Sequence, residues 1–212
     1  MTTIYKMSLF LFMMAIVFFS FSNSAYSWPL YSKPEFRGRV IDAETKQPSE
    51  GAVVVVLYEK WEFSGPGGGN TLPMDAKETL TDKDGDFYFP SYKTLIGPLS
   101  RVSDVSFIIF KPGYMSINRI EGIKIPDEKY FAIEKDMVGK EGEIKYVNAR
   151  FVEPVTKTWK GFMGIVELKK VSPDKAMPPG GIPANYGARQ LPLLYKAINT
   201  DRKNRGLKGE VE

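Results

Sequence analysis

Three aspartates in five residues, Asp82-x-Asp84-x-Asp86, gather hard oxygen atoms of the kind that bind calcium. The spacing does not make an EF-hand, because Gly85 comes fourth where the turn glycine should be sixth and Lys93 stands where a bidentate glutamate belongs. A hairpin turn with solvated carboxylates is therefore expected, with no metal ligand. Gly65 to Gly69 is glycine-rich but has no Lys-Ser or Lys-Thr behind it, so a flexible loop is expected and not a phosphate cradle. Ser100, Ser103 and Ser106 lie in no nucleophile elbow and no Ser-x-x-Lys arrangement. Two zeros matter most: the chain holds His 0 and Cys 0, which removes the usual material of zinc and haem sites, nucleophilic triads and disulfides. Only carboxylate pairs remain for hydrolytic chemistry, and no pair stands in a recognisable pattern. The expectation is a chain that is not an enzyme, with no catalytic residue, no cofactor and no metal.

The elements that would position any such group are short apolar or alternating runs punctuated by Gly, Pro, Asp and Asn. Phe36 to Asp42 reads as a strand, followed by a turn at Glu44 to Pro48. Ala52 to Phe63 reads as a second, in which the uninterrupted Val53 to Leu57 run implies cover on both faces. Ser64 to Asn70 is expected to hold no strand. Glu78 to Thr81 and Asp86 to Phe89 are expected to pair around Asp84-Gly85, with both turn residues at positive φ and Phe87 and Phe89 facing the core. Asp104 to Phe110 ends at Lys111-Pro112-Gly113-Tyr114, and Phe162 to Val171 supplies a closing strand.

Gly38-x-Val40-x-Asp42, Pro48-x-x-Gly51-Ala52-x-Val54, Thr79-x-Thr81-Asp82-x-Asp84-Gly85-x-Phe87-x-Phe89 and Lys111-Pro112-Gly113-Tyr114 follow one another in an order and spacing that resemble the carboxypeptidase regulatory-like domain. The resemblance covers about residues 36 to 117. It implies an all-β fold, a transthyretin-like Greek-key β-sandwich, and an accessory role, since the zinc of the enzymes that lend the family its name belongs to a separate domain. The transthyretin-like hydrolases of purine breakdown and the intradiol dioxygenases have related sandwiches, but both depend on histidine.

At the N-terminus, Lys6 precedes an apolar run from Leu9 to Phe21, and small residues follow at Ser22 to Ser27. That is the three-part pattern of a secretory signal peptide, cleaved after Ser27 or Ala25. The run is short for a membrane span, which makes an uncleaved anchor the alternative; only then would the protein contact a membrane. The expected domains are 1–27 as signal peptide, 28–171 as sandwich with an insertion at 115–161, 172–188 as a Pro/Gly-rich linker, and 189–212 as a C-terminal helix and tail. Within the insertion a short helix through Met137 and a strand over 144–151 are expected; Tyr130, Phe131, Tyr146 and Trp159 are expected to cover the sandwich edge or core, with stacking on sugars or a partner as the alternative, and Trp61 is expected to pack.

In the last segment Leu191, Leu194, Tyr195 and Ile198 recur at helical spacing, with Pro192 in the first turn and Arg202, Lys203 and Arg205 at the other end. This stripe either docks on its own domain or is kept for a partner, and these four residues are the candidate partner-binding site. A net charge of +4 is too mild to indicate nucleic acid. The expected function is that of a non-catalytic interaction module, periplasmic or extracellular, which binds a protein, glycan or envelope component. The alternative is a carboxylate-dependent hydrolase with its cleft between sandwich and insertion.

Overall fold

The computed structural model describes residues 30–117, 144–147 and 163–212. The signal segment, the expected helix through Met137, and Tyr130, Phe131 and Trp159 lie outside the described residues, as does the side chain of Tyr146. Nine strands and one helix are described: β1 Leu30–Lys33, β2 Phe36–Asp42, β3 Val53–Phe63, β4 Gly69–Leu80, β5 Asp86–Phe89, β6 Tyr92–Leu95, β7 Ser100–Phe110, β8 Ile144–Val147, β9 Met163–Leu168 and α1 Pro192–Asn204. They form an all-β sandwich with a C-terminal helix. One sheet has the order β5-β2-β9-β8, the other β4-β3-β7, and β1 with β6 makes a two-stranded ribbon.

The apolar run in β3 explains the layering. Val54 and Val56 face the first sheet and pack with Phe36, Val40, Phe87, Phe89, Phe107 and Val166. Val53, Val55 and Leu57 point the opposite way and pack with Ile108, Phe110, Leu191, Leu194 and Ile198. Alternate residues of a strand face opposite sides, so a strand covered by a sheet on one side and a helix on the other must be apolar throughout.

Two expectations are corrected. The segments expected to form a hairpin around Asp84-Gly85 belong to different sheets: β4 pairs with β3, and β5 pairs with β2. Asp82 to Asp86 is thus a corner between layers, closed by the Gly85 N–H on the Asp82 carbonyl (2.9 Å) and by the Asp82 Oδ1 accepting the amides of Asp84 and Asp86 (2.9 Å each). Gly85 alone has positive φ there, at 74°, and Asp84 does not. Second, the glycine-rich segment is a compact turn in which the Ser64 N–H reaches the Gly68 carbonyl, and Gly69 already opens β4. The segment expected as a linker lies against the domain, where Ala176 and Tyr186 are buried. The closing strand does form, as β9, but it runs parallel to β2 and to β8. Of the strand expected over 144–151, residues 144–147 are described and form β8.

Candidate functional site

Helix α1 is seated by its apolar stripe and clamped at both ends. Leu191, Leu194, Tyr195 and Ile198, the residues expected to meet a partner, are all buried on β3 and β7. Of the two readings of this stripe, docking on its own domain is the one seen, and the candidate partner-binding surface is corrected: burial of these side chains, at about 1.5–3 kcal/mol for each large apolar group, attaches the helix to its own sheet. Leu191 offers no capping side chain. Glu78 of β4 takes that role from 115 residues away, accepting the Leu193 N–H at 2.7 Å and the Leu194 N–H at 3.0 Å. A carboxylate there satisfies two orphan donors and meets the positive end of the helix dipole. At the far end, buried Asp201 accepts the Gly113 N–H at 2.9 Å, which ties the last turn to the loop after β7. The Tyr195 hydroxyl donates to the Tyr186 carbonyl at 3.0 Å and fixes the segment before the helix.

What remains exposed is the outer face of α1. A groove of about 600 Å³ runs between it and the segment that follows, lined by residues that include Tyr195, Lys196, Asn199, Thr200, Lys203, Leu207 and Glu210. Of the four expected site residues, Tyr195 alone lines this groove. Beyond Gly206, at φ 72°, the chain turns back along the helix without regular secondary structure. The Val211 N–H donates to Asn199 Oδ1 at 2.8 Å and Asn199 Nδ2 donates to the Val211 carbonyl at 3.2 Å. Arg202 Nε and Nη2 donate to the carbonyls of Gly209 and Lys208 at 3.2 and 3.0 Å.

A second polar constellation surrounds Asp42 at the end of β2. Asp42 is buried, which on its own would raise its carboxyl pKa. The amides of Thr45 and Glu44 (2.9 Å each), the Tyr114 hydroxyl (2.9 Å) and the Lys170 ammonium (3.4 Å) outweigh that and hold it well below the usual carboxylate range. Burial and the bond to Asp42 push the Tyr114 phenol up, and burial lowers Lys111, whose ammonium donates to Ser49 Oγ at 3.1 Å. The lysine ammoniums stand 5.4 and 5.9 Å from the Tyr114 ring centroid. Each polar group here completes another, so the constellation fixes the turns that flank β2, β7 and β9.

The three aspartates have separate structural roles. Asp82 holds the corner, Asp86 forms a two-pronged pair with Arg39 (2.5 and 2.8 Å), and Asp84 is exposed beside Lys83. Among the described residues no group of three or more His, Cys, Asp or Glu is placed to hold a metal ion. Trp61 is half-buried, with the Arg101 guanidinium 4.8 Å from its ring. Sequence reasoning missed a set of phenols around Asp75. Tyr58 stacks on Tyr92 at 4.1 Å, and burial followed by Asp75 pushes Tyr58 up to about 12, with Tyr92 and Tyr186 raised for the same reasons. Tyr58 and Tyr92 pack with the inner core, and Tyr186 packs with the cluster beneath the helix.

No family profile and no curated protein matches the chain. Among solved structures it is similar to 3-chlorocatechol 1,2-dioxygenase from Rhodococcus opacus, at 19% identity and a TM-score of 0.28, over 70% of this chain and 63% of that one. The chain thus spans less than two thirds of the length of that protein. That protein is an enzyme, which runs against the expectation of a chain that is not one. A likeness at this TM-score carries no argument about a particular reaction.

Proposed function

We propose that this chain is an exported interaction module of the carboxypeptidase regulatory-like kind, and that it binds an envelope component, protein or glycan, through the outer face of α1. The observation that supports this reading is the clamping of the helix. Glu78 holds one end, Asp201 the other, and the apolar stripe is buried between them, so the polar outer face is presented without the ordering cost that a mobile helix would add to binding. Lys196 and Lys203 give that face its charge, while Asn199 is bonded to Val211 and the Thr200 hydroxyl to the Lys196 carbonyl. The sequence pattern over 1–27 supports export, with the mature chain beginning near Trp28.

Two measurements test the reading. N-terminal sequencing after fractionation should find a mature chain that starts near Trp28; recovery from the cytoplasm with Met1 intact would refute export. Binding to isolated envelope components should saturate and should fall at least about tenfold in the double variant Lys196→Glu/Lys203→Glu, a loss of about 1.4 kcal/mol. Equal binding by a variant that melts like the wild type would move the interaction off this face.

A further inference from the structure

The segment Leu207–Glu212 lies on α1 through its backbone. Asn199 reads the N–H and the C=O of a single residue, Val211, and Arg202 reads two successive carbonyls, those of Lys208 and Gly209. None of these four bonds depends on a side chain of the segment, so another chain would make them if it bends as this one does at Gly209, φ 81°. The segment itself is exposed throughout, with Leu207 43% and Val211 37% accessible, so burial adds little to its hold. Glu210 shares the groove with Lys196 and Lys203, and Val211 is flanked by Glu210 and Glu212.

We infer that the outer face of α1 is a binding groove for an acidic peptide that turns at a glycine, occupied in this structure by the chain's own Leu207–Glu212, and that a segment of a partner protein with a glycine followed by the same alternation of carboxylate and small apolar residues displaces it. This rests on the proposed function and names the chemistry of the ligand. Asn199 and Arg202 supply the register, while Lys196 and Lys203 select for acidic side chains. The resident segment acts as a competitor at the millimolar effective concentration that a short tether provides, and it raises the threshold for a partner without blocking it.

The probe is the N-acetylated peptide Leu-Lys-Gly-Glu-Val-Glu carrying a fluorophore, with anisotropy measured against the full chain and against a chain ending at Gly206. The shortened chain should bind it saturably, the full chain about tenfold or more weakly. Asn199→Ala in the shortened chain should abolish binding, and glutamine in place of both glutamates should weaken it. Absence of saturation up to about 5 mM, a concentration at or above the tether's effective value, overturns the inference when the shortened chain melts like the full one. Equal affinity for both chains, or affinity unaffected by Asn199→Ala, overturns it as well. If the shortened chain melts lower, amide exchange at Val211 in the full chain, with and without excess unlabelled peptide, decides: acceleration by the peptide supports displacement and an unchanged rate refutes it. A failed peptide with preserved, lysine-dependent envelope binding would sink this inference alone, whereas loss of both would sink the proposed function with it.

Discussion

Gly85→Ala is the substitution whose cost follows most directly from the backbone. Gly85 sits at φ 74°, where a side chain costs about 1–2 kcal/mol. A Cβ added there would be driven into the Val40 carbonyl oxygen, with the Ser49 nitrogen at 3.2 Å. Neither neighbour can yield cheaply. The same Val40 carbonyl accepts the Ser49 N–H at 2.9 Å, and the Val40 N–H donates to the Gly85 carbonyl at 2.8 Å. Moving Gly85 away stretches these bonds inside a corner that joins both sheets, and a buried group left unsatisfied costs about 1–3 kcal/mol. Strain and lost bonding together give about 2–5 kcal/mol. In a domain of this size 3 kcal/mol corresponds to a fall in Tm of roughly 6–12 °C. Asp84→Asn should change stability by less than about 0.5 kcal/mol, since Asp84 is exposed and has ordinary φ. Urea melts of the two variants, compared at equal slope, provide the assay. A Gly85→Ala midpoint within about 1 kcal/mol of the wild type would refute the reasoning, because it would mean that the corner relaxes without losing its bonds.

Glu78→Ala should cost about 1–2 kcal/mol and accelerate amide exchange at Leu193 and Leu194, and unchanged exchange there would show that solvent caps the helix as well as the carboxylate does. Leu194→Ala should destabilise by about 2–5 kcal/mol in thermal or urea melts, because the side chain is fully buried beneath the helix. Asp42 sets an acid limb: its folded-state pKa lies below the unfolded value of about 4, so its contribution is complete above that pH and is lost as pH falls towards the folded pKa. Asp42→Asn should therefore lower stability at pH 7 and flatten the decline below about pH 4, as read from melts across pH; a parallel shift of the whole profile would place the acid sensitivity elsewhere.

Much of the framework was visible in the residues themselves. Phe36 to Asp42, the Val53 to Leu57 run and the Asp104 to Phe110 segment all form strands at or within a few residues of the expected limits, and Pro192 opens the helix. What escaped was pairing between distant segments. Glu78 to Thr81 and Asp86 to Phe89 flank a turn dipeptide suited to a hairpin, yet an Asp-Gly corner that carries the chain from one sheet to the other makes the same demand on the glycine. The discriminating interaction, the Gly85 carbonyl on the Val40 N–H, joins residues with no local relation. Edge strand β4 has few buried positions, so alternation could not mark its twelve residues. The partner of the Leu191 to Ile198 stripe was likewise undetermined, since an amphipathic stripe shows that something covers it but not what.

That ambiguity resolves through β3, and the resolution bears on where binding can occur. A strand apolar on both faces requires two covers, and the first sheet supplies only one. Without α1, the outward side chains Val53, Val55 and Leu57, together with Ile108 and Phe110, would form a contiguous apolar surface. The helix is thus demanded by the middle of the sheet, and its inner stripe is committed to folding. Selection for a partner can act only on positions that the buried stripe does not use, which on this helix are the outward ones: Lys196, Asn199, Thr200 and Lys203. They share the groove with the following segment, and two of them carry the charge that an acidic ligand would meet.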